Sequence, residues 1–249
     1  MDFDLDGRVA IVTGASRGLG RAAALALAAE GARVLGVART AADLERLAAE
    51  HPERIAVAGC DMRDPEQVAS LPAQAIGRFG RIDVVVNNAG IAPAARFAEQ
   101  DWRTWNEVLA VNVTAPAVLA RAAGEHFLAQ RAGKVVNVAS TAGLRGKPSL
   151  VAYSTSKGAL VRFTEALAGE WARDGVQVNA IAPGAFDTDA QSAVTGAPEV
   201  LEKRIRKIPA RRMGGVAEIG PLVAYLASPL SDFVTGATFV IDGGEAAKL

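Results

Sequence analysis

Cysteine and histidine are scarce in this chain of 249 residues, and their scarcity excludes two kinds of site. The one cysteine, Cys60, cannot form an internal disulfide, so a reducing cytoplasm is the expected compartment. The two histidines, His51 and His126, have no Cys, His or Asp partners at ligand spacing. We therefore predict no metal site.

The chain also lacks an excess of charge of one sign and any long hydrophobic run. Its 27 basic and 27 acidic residues give a net charge of +0, which provides no electrostatic attraction to nucleic acid or to an anionic membrane. The longest uninterrupted apolar run, residues 22–29, is far shorter than a membrane span, and the acidic residues near the start do not form a signal pattern. We expect a cytoplasmic protein that binds neither nucleic acid nor membrane.

Short apolar segments alternate with longer amphipathic ones along the chain. The short segments are rich in Val and Ile without polar alternation, which is typical of parallel strands buried on both faces. Strand–helix alternation of this kind predicts a Rossmann-like, doubly wound α/β sheet of about seven strands with helices on both faces. Strands are expected at 8–13, 32–38, 54–58, 82–86, 134–138, 176–181 and 238–241, and helices at 18–30, 41–50, 65–79, 102–127, 153–173 and 216–227.

No linker or repeat divides the sequence, so one domain, residues 1–249, is predicted. The irregular region is the stretch from Pro183 to Gly215, which is rich in Pro, Gly, Thr and charged residues. An insert of that length in a compact domain is typically functional. We interpret residues 185–215 as a substrate lid.

A glycine-rich turn, Thr13 to Gly20 (TGASRGLG), follows the first strand directly and leads into a helix. Positions without side chains let the backbone approach a diphosphate, which binds to the free N–H groups of the helix N-terminus. The turn therefore predicts a dinucleotide-binding site that includes Gly14, Ser16, Arg17, Gly18, Leu19 and Gly20.

The end of the second strand bears on the choice of dinucleotide. A carboxylate there would bind the ribose 2′-hydroxyl and repel a 2′-phosphate, but this strand ends in Ala38, Arg39 and Thr40. Arg39, together with Arg17 of the glycine turn, has the charge and geometry to bind a 2′-phosphate. We predict NADP(H) in preference to NAD(H).

A tyrosine and a lysine, Tyr153 and Lys157, lie one helical turn apart. A free tyrosine has a pKa of about 10, and a nearby ammonium together with an oxidised nicotinamide would lower it toward the range of a general acid and base. Ser140 ends the fifth strand at the sheet edge where such folds bind ligands. Asn112 lies between two valines in a helix, where a polar side chain requires a partner.

Taken together, the motifs of this chain resemble those of the short-chain dehydrogenase/reductase family over essentially the whole length. The resemblance includes members that act as 3-oxoacyl reductases and as sugar-acid dehydrogenases. The matching features are TGASRGLG at 13–20, Asp61, NNAG at 87–90, Asn112, Ser140, the Tyr-x-x-x-Lys pair at 153–157, and Pro183-Gly184 with Thr188.

The resemblance implies a role for each of four catalytic residues. Tyr153 would transfer the substrate proton, and Ser140 would hydrogen-bond the reacting oxygen. Lys157 would hold the nicotinamide ribose and tune Tyr153, while Asn112 would anchor a water in a proton relay. The family resemblance also implies a homotetramer, and cofactor contacts from Asp61 (at the adenine), Met62, Asn88, Ala89, Gly90, Tyr153, Lys157, Pro183, Gly184 and Thr188.

The small-molecule substrate stays open at this point. A 3-oxoacyl thioester on a carrier protein or coenzyme A is one candidate, and a sugar acid, polyol or small cyclic ketone is another. Arg131 could help to dock an acidic carrier, whereas Asp174 places an acid where similar carrier reductases have a base. A non-catalytic NADP(H)-binding sensor or scaffold is the alternative from a different class, although such proteins typically lose the tyrosine or the lysine.

Overall fold

The computed structural model describes residues 2–188 and 196–247, and its strands form one parallel sheet. The sheet has seven strands in the order β3-β2-β1-β4-β5-β6-β7, which confirms the predicted Rossmann-like α/β class. The strands are β1 Val9–Thr13, β2 Arg33–Ala38, β3 Ile55–Gly59, β4 Val84–Asn87, β5 Gly133–Val138, β6 Val176–Pro183 and β7 Thr238–Ile241.

Helices cover both faces of the sheet. The residues of α3, α5 and α7 pack on one face, and those of α1 and the C-terminal helix pack on the other. The helices are α1 Gly18–Ala29, α2 Ala41–Ala48, α3 Pro65–Phe79, α4 Trp102–Leu109, α5 Ala115–Gln130, α6 Thr141–Leu144, α7 Val151–Trp171, a lid helix Pro198–Arg206 and a C-terminal helix Gly220–Ala227.

Strand β4 illustrates why the strand sequences are almost entirely apolar. Val84 and Val86 point into the core cluster that contains Leu27 of α1, while Val85 points into the cluster that contains Leu71 of α3. Because successive side chains alternate between the two faces and both faces are covered, every position of the strand is buried.

One helix predicted from the sequence, at 102–127, is interrupted in the structure. A π-helical turn, Ala110–Thr114, separates α4 from α5 and contains Asn112. The apolar periodicity continues through both helices, so the extra residue of the wider turn left no signal in the pattern. Such π-turns occur frequently at functional sites.

The predicted lid is more regular than its composition indicated. Residues 198–206 form the lid helix, and the N–H of Gly214 donates to the carbonyl of Ala185 at the base of the segment (2.9 Å). Residues 189–195 of the predicted lid lie outside the described residues. The lid helix is joined to the C-terminal turn by an ion pair between Arg204 and Glu245.

The described residues contain neither a membrane-spanning helix nor a cluster of metal ligands. None of the helices is long and apolar enough to cross a membrane. Within residues 2–188 and 196–247, no three His, Cys, Asp or Glu side chains are grouped so as to hold a metal ion.

Candidate active site

The glycine turn brings the start of α1 against the end of β1. Gly14 has a φ of +67°, which favours glycine, and a Cβ at position 20 would lie 2.2 Å from the carbonyl oxygen of Gly14. Arg17, the N-cap residue of α1, provides no side-chain cap, and the first turn contains no acidic residue. The first N–H groups of α1 are therefore not satisfied by a cap, and the turn fits a diphosphate.

Buried Thr13 holds this turn against the next strand. Its Oγ1 accepts hydrogen bonds from the N–H groups of Asn88 and Ala89 (both 3.0 Å). The side-chain amide of Asn88 in turn donates to the carbonyls of Thr13 (2.9 Å) and Gly14 (3.3 Å). Sequence reasoning did not single out Thr13, although a polar residue at the end of an apolar strand was an available signal.

Arg17 and Arg39 lie at the ends of neighbouring strands, and both are exposed. The N–H of Ala15 donates to the carbonyl of Val37 (3.1 Å), which ties the glycine turn to the end of β2. Among residues 2–188 and 196–247, neither guanidinium has a hydrogen-bond or ion-pair partner. Two cations without a partner among the described residues therefore flank one edge of the glycine turn.

Asp61, at the end of β3, is bound by Arg63, a residue that sequence reasoning missed. The Arg63 guanidinium contacts both carboxylate oxygens, with Nη2 2.6 Å from Oδ2, and it also reaches Glu107 at 3.2 Å. These hydrogen bonds lower the pKa of Asp61 to about 2, and the charge of Arg39 acts in the same direction. Met62, beside Asp61, is largely buried, so it adds apolar surface under the carboxylate.

Ser140, Tyr153 and Lys157 are brought together beyond the end of β5. Ser140 is the N-cap of α6, and its Oγ accepts from the N–H of Ala142 (3.1 Å). Lys157 is buried in α7, donates from Nζ to the carbonyl of Val138 (2.7 Å), and lies 5.9 Å from the centre of the Tyr153 ring. The end of β5 and the first two turns of α7 thus bring a hydroxyl, a phenol and an ammonium close together.

Burial is the main influence on the acidity of these groups. Burial raises the pKa of Tyr153, and a hydrogen bond with Ser140 acts in the opposite direction. Burial also lowers the pKa of Lys157 to about 8, because a low-dielectric site disfavours the ammonium. The sequence predicted that Lys157, together with a bound cofactor, lowers the pKa of Tyr153. In this structure the group that lowers the Tyr153 pKa is Ser140, and the opposite effect of burial is larger.

Asn112 uses its whole amide group in the π-turn. Its Oδ1 accepts from the N–H of Ile91 (2.9 Å), and its Nδ2 donates to the Ile91 carbonyl (2.9 Å) and to Ser156 Oγ (3.0 Å). A Cβ at Gly90 would lie 3.3 Å from Asn112 Oδ1 and 3.4 Å from Lys157 Nζ. Gly90 therefore lies between the asparagine and the lysine and leaves the space between them open.

The segment after β6 closes the site from the other side. Pro183 ends β6, and the N–H of Gly184 donates to the carbonyl of Ile241 (2.9 Å). The side chain of Thr188 lies 3.6 Å from where a Cβ of Gly18 would be, so this segment reaches back to the glycine turn. The residues predicted from the sequence thus follow the carboxyl ends of six adjacent parallel strands and lie along a single edge of the sheet.

Comparison with solved structures places the chain among Rossmann-type oxidoreductases. A gluconate 5-dehydrogenase from Burkholderia cenocepacia J2315, solved in complex with NADP and tartrate, matches with a TM-score of 0.94 and 32% sequence identity. The match covers 100% of this chain and 98% of that chain.

Sequence comparison then gives the family. A family model described as Enoyl-(Acyl carrier protein) reductase matches residues 14–245. A galactitol 2-dehydrogenase (L-tagatose-forming) from Cereibacter sphaeroides is 39% identical, covering 97% of this chain and 96% of its own. A 3-oxoacyl-[acyl-carrier-protein] reductase from Synechocystis sp. is 37% identical, covering 96% and 97%. The chain belongs to the short-chain dehydrogenase/reductase family and is an oxidoreductase that acts on alcohol or carbonyl groups.

Proposed function

We propose that this protein interconverts a carbonyl and a secondary alcohol on a small molecule, with NADP(H) as the hydride carrier. The observation that carries the proposal is the convergence of Ser140, Tyr153 and Lys157 beyond β5, beside a turn that fits a diphosphate. A hydroxyl, a phenol and a buried ammonium at one strand edge can bind a carbonyl oxygen and deliver a proton to it.

The dinucleotide would be held along the whole edge of the sheet. The N-terminus of α1 would bind the diphosphate, with Gly14, Gly18 and Gly20 allowing its close approach. Asp61 and Met62 would lie at the adenine, and Asn88 to Gly90, Pro183, Gly184 and Thr188 would line the rest. When bound, the nicotinamide supplies or accepts the hydride.

The protein's own residues would handle the oxygen and the proton. In reduction, Ser140 donates a hydrogen bond to the carbonyl oxygen, and Tyr153 transfers its phenolic proton to that oxygen as it becomes a hydroxyl. The positive charge of Lys157 stabilises the phenolate that remains. Asn112, held on Ile91, would use the second lone pair of its Oδ1 to anchor a water in the relay that returns a proton to the Tyr153 phenolate. Oxidation reverses each step.

The role of Tyr153 is tested by Tyr153→Phe, which removes the hydroxyl and keeps the ring. We expect the variant to lose roughly 10²- to 10⁴-fold in kcat, the usual contribution of a general acid and base, with unchanged NADPH affinity. The assay follows NADPH oxidation with a panel containing a 3-oxoacyl thioester, a keto-sugar acid and a cyclic diketone. A variant that keeps most of its turnover would remove Tyr153 from the chemistry.

Cofactor preference is the second part of the proposal. Arg17 and Arg39 are exposed and unpaired within the described part of the chain, and β2 ends without a carboxylate. A 2′-phosphate between the two guanidinium groups would gain charge-assisted hydrogen bonds that a 2′-hydroxyl cannot make. NADP(H) is therefore preferred over NAD(H).

Arg39→Gln is the corresponding test, with Arg33→Gln as its control. Arg33 is also exposed, but it begins β2, whereas Arg39 follows the other end of that strand. We expect Arg39→Gln to reduce the ratio of NADPH to NADH in kcat/KM by roughly tenfold or more, since one charge-assisted contact contributes about 1.5–3 kcal/mol. Equal ratios in the wild type and Arg39→Gln would contradict the preference.

A small substrate is favoured over an acyl carrier by the position of Arg131. Its guanidinium reaches Asp174 (3.3 Å) and the carbonyl of Arg173 (2.8 Å), immediately before the amino ends of β5 and β6. Arg131 thus lies at the sheet edge opposite Tyr153 and is already paired, so it does not extend a docking surface at the cleft.

We also propose that four copies assemble into a homotetramer, as the family resemblance implies.

A further inference from the structure

Lys147 lies on the loop that joins two residues of the proposed catalytic cluster, Ser140 and Tyr153. Its backbone N–H donates to the hydroxyl of Ser154 (3.1 Å), the residue next to Tyr153, and its carbonyl accepts from the N–H of Leu150 (3.2 Å). These two bonds fix the backbone of Lys147 beside the first turn of α7. The position of the lysine therefore depends on the same turn that positions Tyr153.

The side chain of Lys147 is half-buried but makes no hydrogen bond or ion pair among residues 2–188 and 196–247. Burial lowers its pKa, as expected for an ammonium that has lost water without gaining a partner. A partly desolvated charge of this kind destabilises a fold unless something binds it. The neighbouring residues of this loop are exposed, so packing of the loop does not depend on a lysine at this position. The unpaired, half-buried ammonium therefore indicates that a ligand binds it.

The charged groups that act on Lys147 are themselves hydrogen-bonded or ion-paired. Its charge interacts with those of Glu245, Arg204 and Asp242. Glu245 forms its ion pair with Arg204 of the lid helix, with Nη2 2.7 Å from Oε2. Asp242 accepts from the N–H groups of Gly244 (2.8 Å) and Ala246 (2.5 Å). Both acids are thus bonded to other groups, and neither forms an ion pair with Lys147 among the described residues.

One of these charged groups, Asp242, lies against the base of the lid. A Cβ at Gly184 would lie 2.5 Å from Cβ of Asp242, so the C-terminal turn packs on the segment that begins the lid. The backbone of Lys147 is thus beside the turn that carries Tyr153, and its charge interacts with the C-terminal turn that packs on the base of the lid. A substrate whose reacting oxygen contacts Tyr153 would extend through this space.

We propose that Lys147 binds the carboxylate of the substrate, so that the preferred substrates are small hydroxy or oxo acids and not neutral polyols or ketones. The inference rests on the proposed function, because it places the reacting carbon at Tyr153. A phosphate on a long thioester arm is the other source of negative charge. It is disfavoured because Lys147 is only six residues before Tyr153 and its backbone is bonded to the first turn of α7, which leaves little length for a thioester arm.

The experiment measures binding of acid and alcohol pairs that differ only in the carboxyl groups. Calorimetry on the NADP⁺-saturated protein compares D-gluconate with D-sorbitol, and L-tartrate with L-threitol, with acetoacetyl-coenzyme A as a phosphate-bearing probe. We expect at least one acid to bind about 10- to 100-fold more tightly than its alcohol, the range of a charge-assisted hydrogen bond. Lys147→Met should abolish that preference, and Lys147→Arg should retain most of it.

Arg33→Met is the matched control, since it removes an exposed cation at the amino end of β2, away from the cleft, and should leave the acid preference intact. The inference is overturned if neither acid is preferred, if Lys147→Met keeps the preference, or if only the thioester responds to the substitution. NADPH-dependent turnover of neutral carbonyls that depends on Tyr153, with no acid preference, would leave the proposed function standing without this site. Binding of an acid through Lys147 without turnover of any carbonyl would support this site and contradict the proposed function.

Discussion

At the scale of single residues, burial of the Lys157 ammonium destabilises the folded protein at neutral pH. The fall in its pKa from 10.5 to about 8 corresponds to roughly 3 kcal/mol. Between those two pH values the unfolded chain binds more protons at this lysine than the folded chain does. Stability therefore increases as pH rises through this window, and the whole penalty is present below pH 8.

We predict that Lys157→Met is more stable than the wild type at pH 7 by up to about 3 kcal/mol, although it loses activity. Urea unfolding at pH 7 and at about pH 9.5 measures the difference, which should be about halved at the higher pH. Lys207→Met, which removes an exposed lysine, should show no such pH dependence. A wild type that is the more stable protein at pH 7 would mean that the hydrogen bond to Val138 outweighs the desolvation.

At the scale of an element, the glycine turn and α1 form one packed unit because of the approach of residue 20 to the backbone of Gly14. Any side chain at position 20 must push the first turn of α1 away from that carbonyl. The exposed Gly77 of α3 offers a contrast, since a Cβ there would meet nothing within 4 Å.

Gly20→Ala is predicted to destabilise the protein by about 1–3 kcal/mol through overpacking and to weaken NADPH binding by more than tenfold. Gly77→Ala is predicted to stabilise it by about 0.5–1 kcal/mol, the ordinary gain in a helix interior, with NADPH binding unchanged. Urea unfolding and fluorescence titration with NADPH measure both. Wild-type NADPH affinity in Gly20→Ala would contradict the assigned role of the turn.

At the scale of the whole molecule, exposed apolar side chains gather around the last strand. Phe233 is completely exposed, Leu230 and Val240 are about half exposed, and β7 lies at the end of the sheet with β6 as its described neighbour. An unprotected strand edge beside exposed apolar groups is characteristic of a surface that another chain covers. This surface supports the proposed homotetramer.

We predict a sedimenting species of four times the chain mass of 25.7 kDa. Phe233→Glu should shift the distribution to smaller species, because a charge would be buried in the interface. Val200→Glu, which changes an exposed apolar residue of the lid helix, should not. Sedimentation velocity separates these outcomes, and a monomeric wild type would contradict the assembly.

Sequence alone was sufficient for the features that local pattern encodes. Uninterrupted Val and Ile runs indicated strands buried on both faces, glycine spacing indicated the diphosphate turn, and the four-residue spacing of Tyr153 and Lys157 put them on one side of a helix. Each of these features depends on residues that are close together in the sequence. The order of residues along the chain is therefore enough to predict it.

Only the tertiary structure decided the contacts between distant or irregular segments. It placed Thr13 under the backbone of the NNAG motif, inserted a π-turn at Asn112 to pair with Ile91, and formed a helix in the lid. It also placed the backbone of Lys147 beside the first turn of α7 and left its side chain half-buried and unpaired among the described residues. These arrangements depend on which strand ends become adjacent in the sheet. They also depend on which polar groups still lack a hydrogen-bond partner once the core has packed. Periodicity along the chain predicts neither the adjacent strand ends nor the unpaired groups.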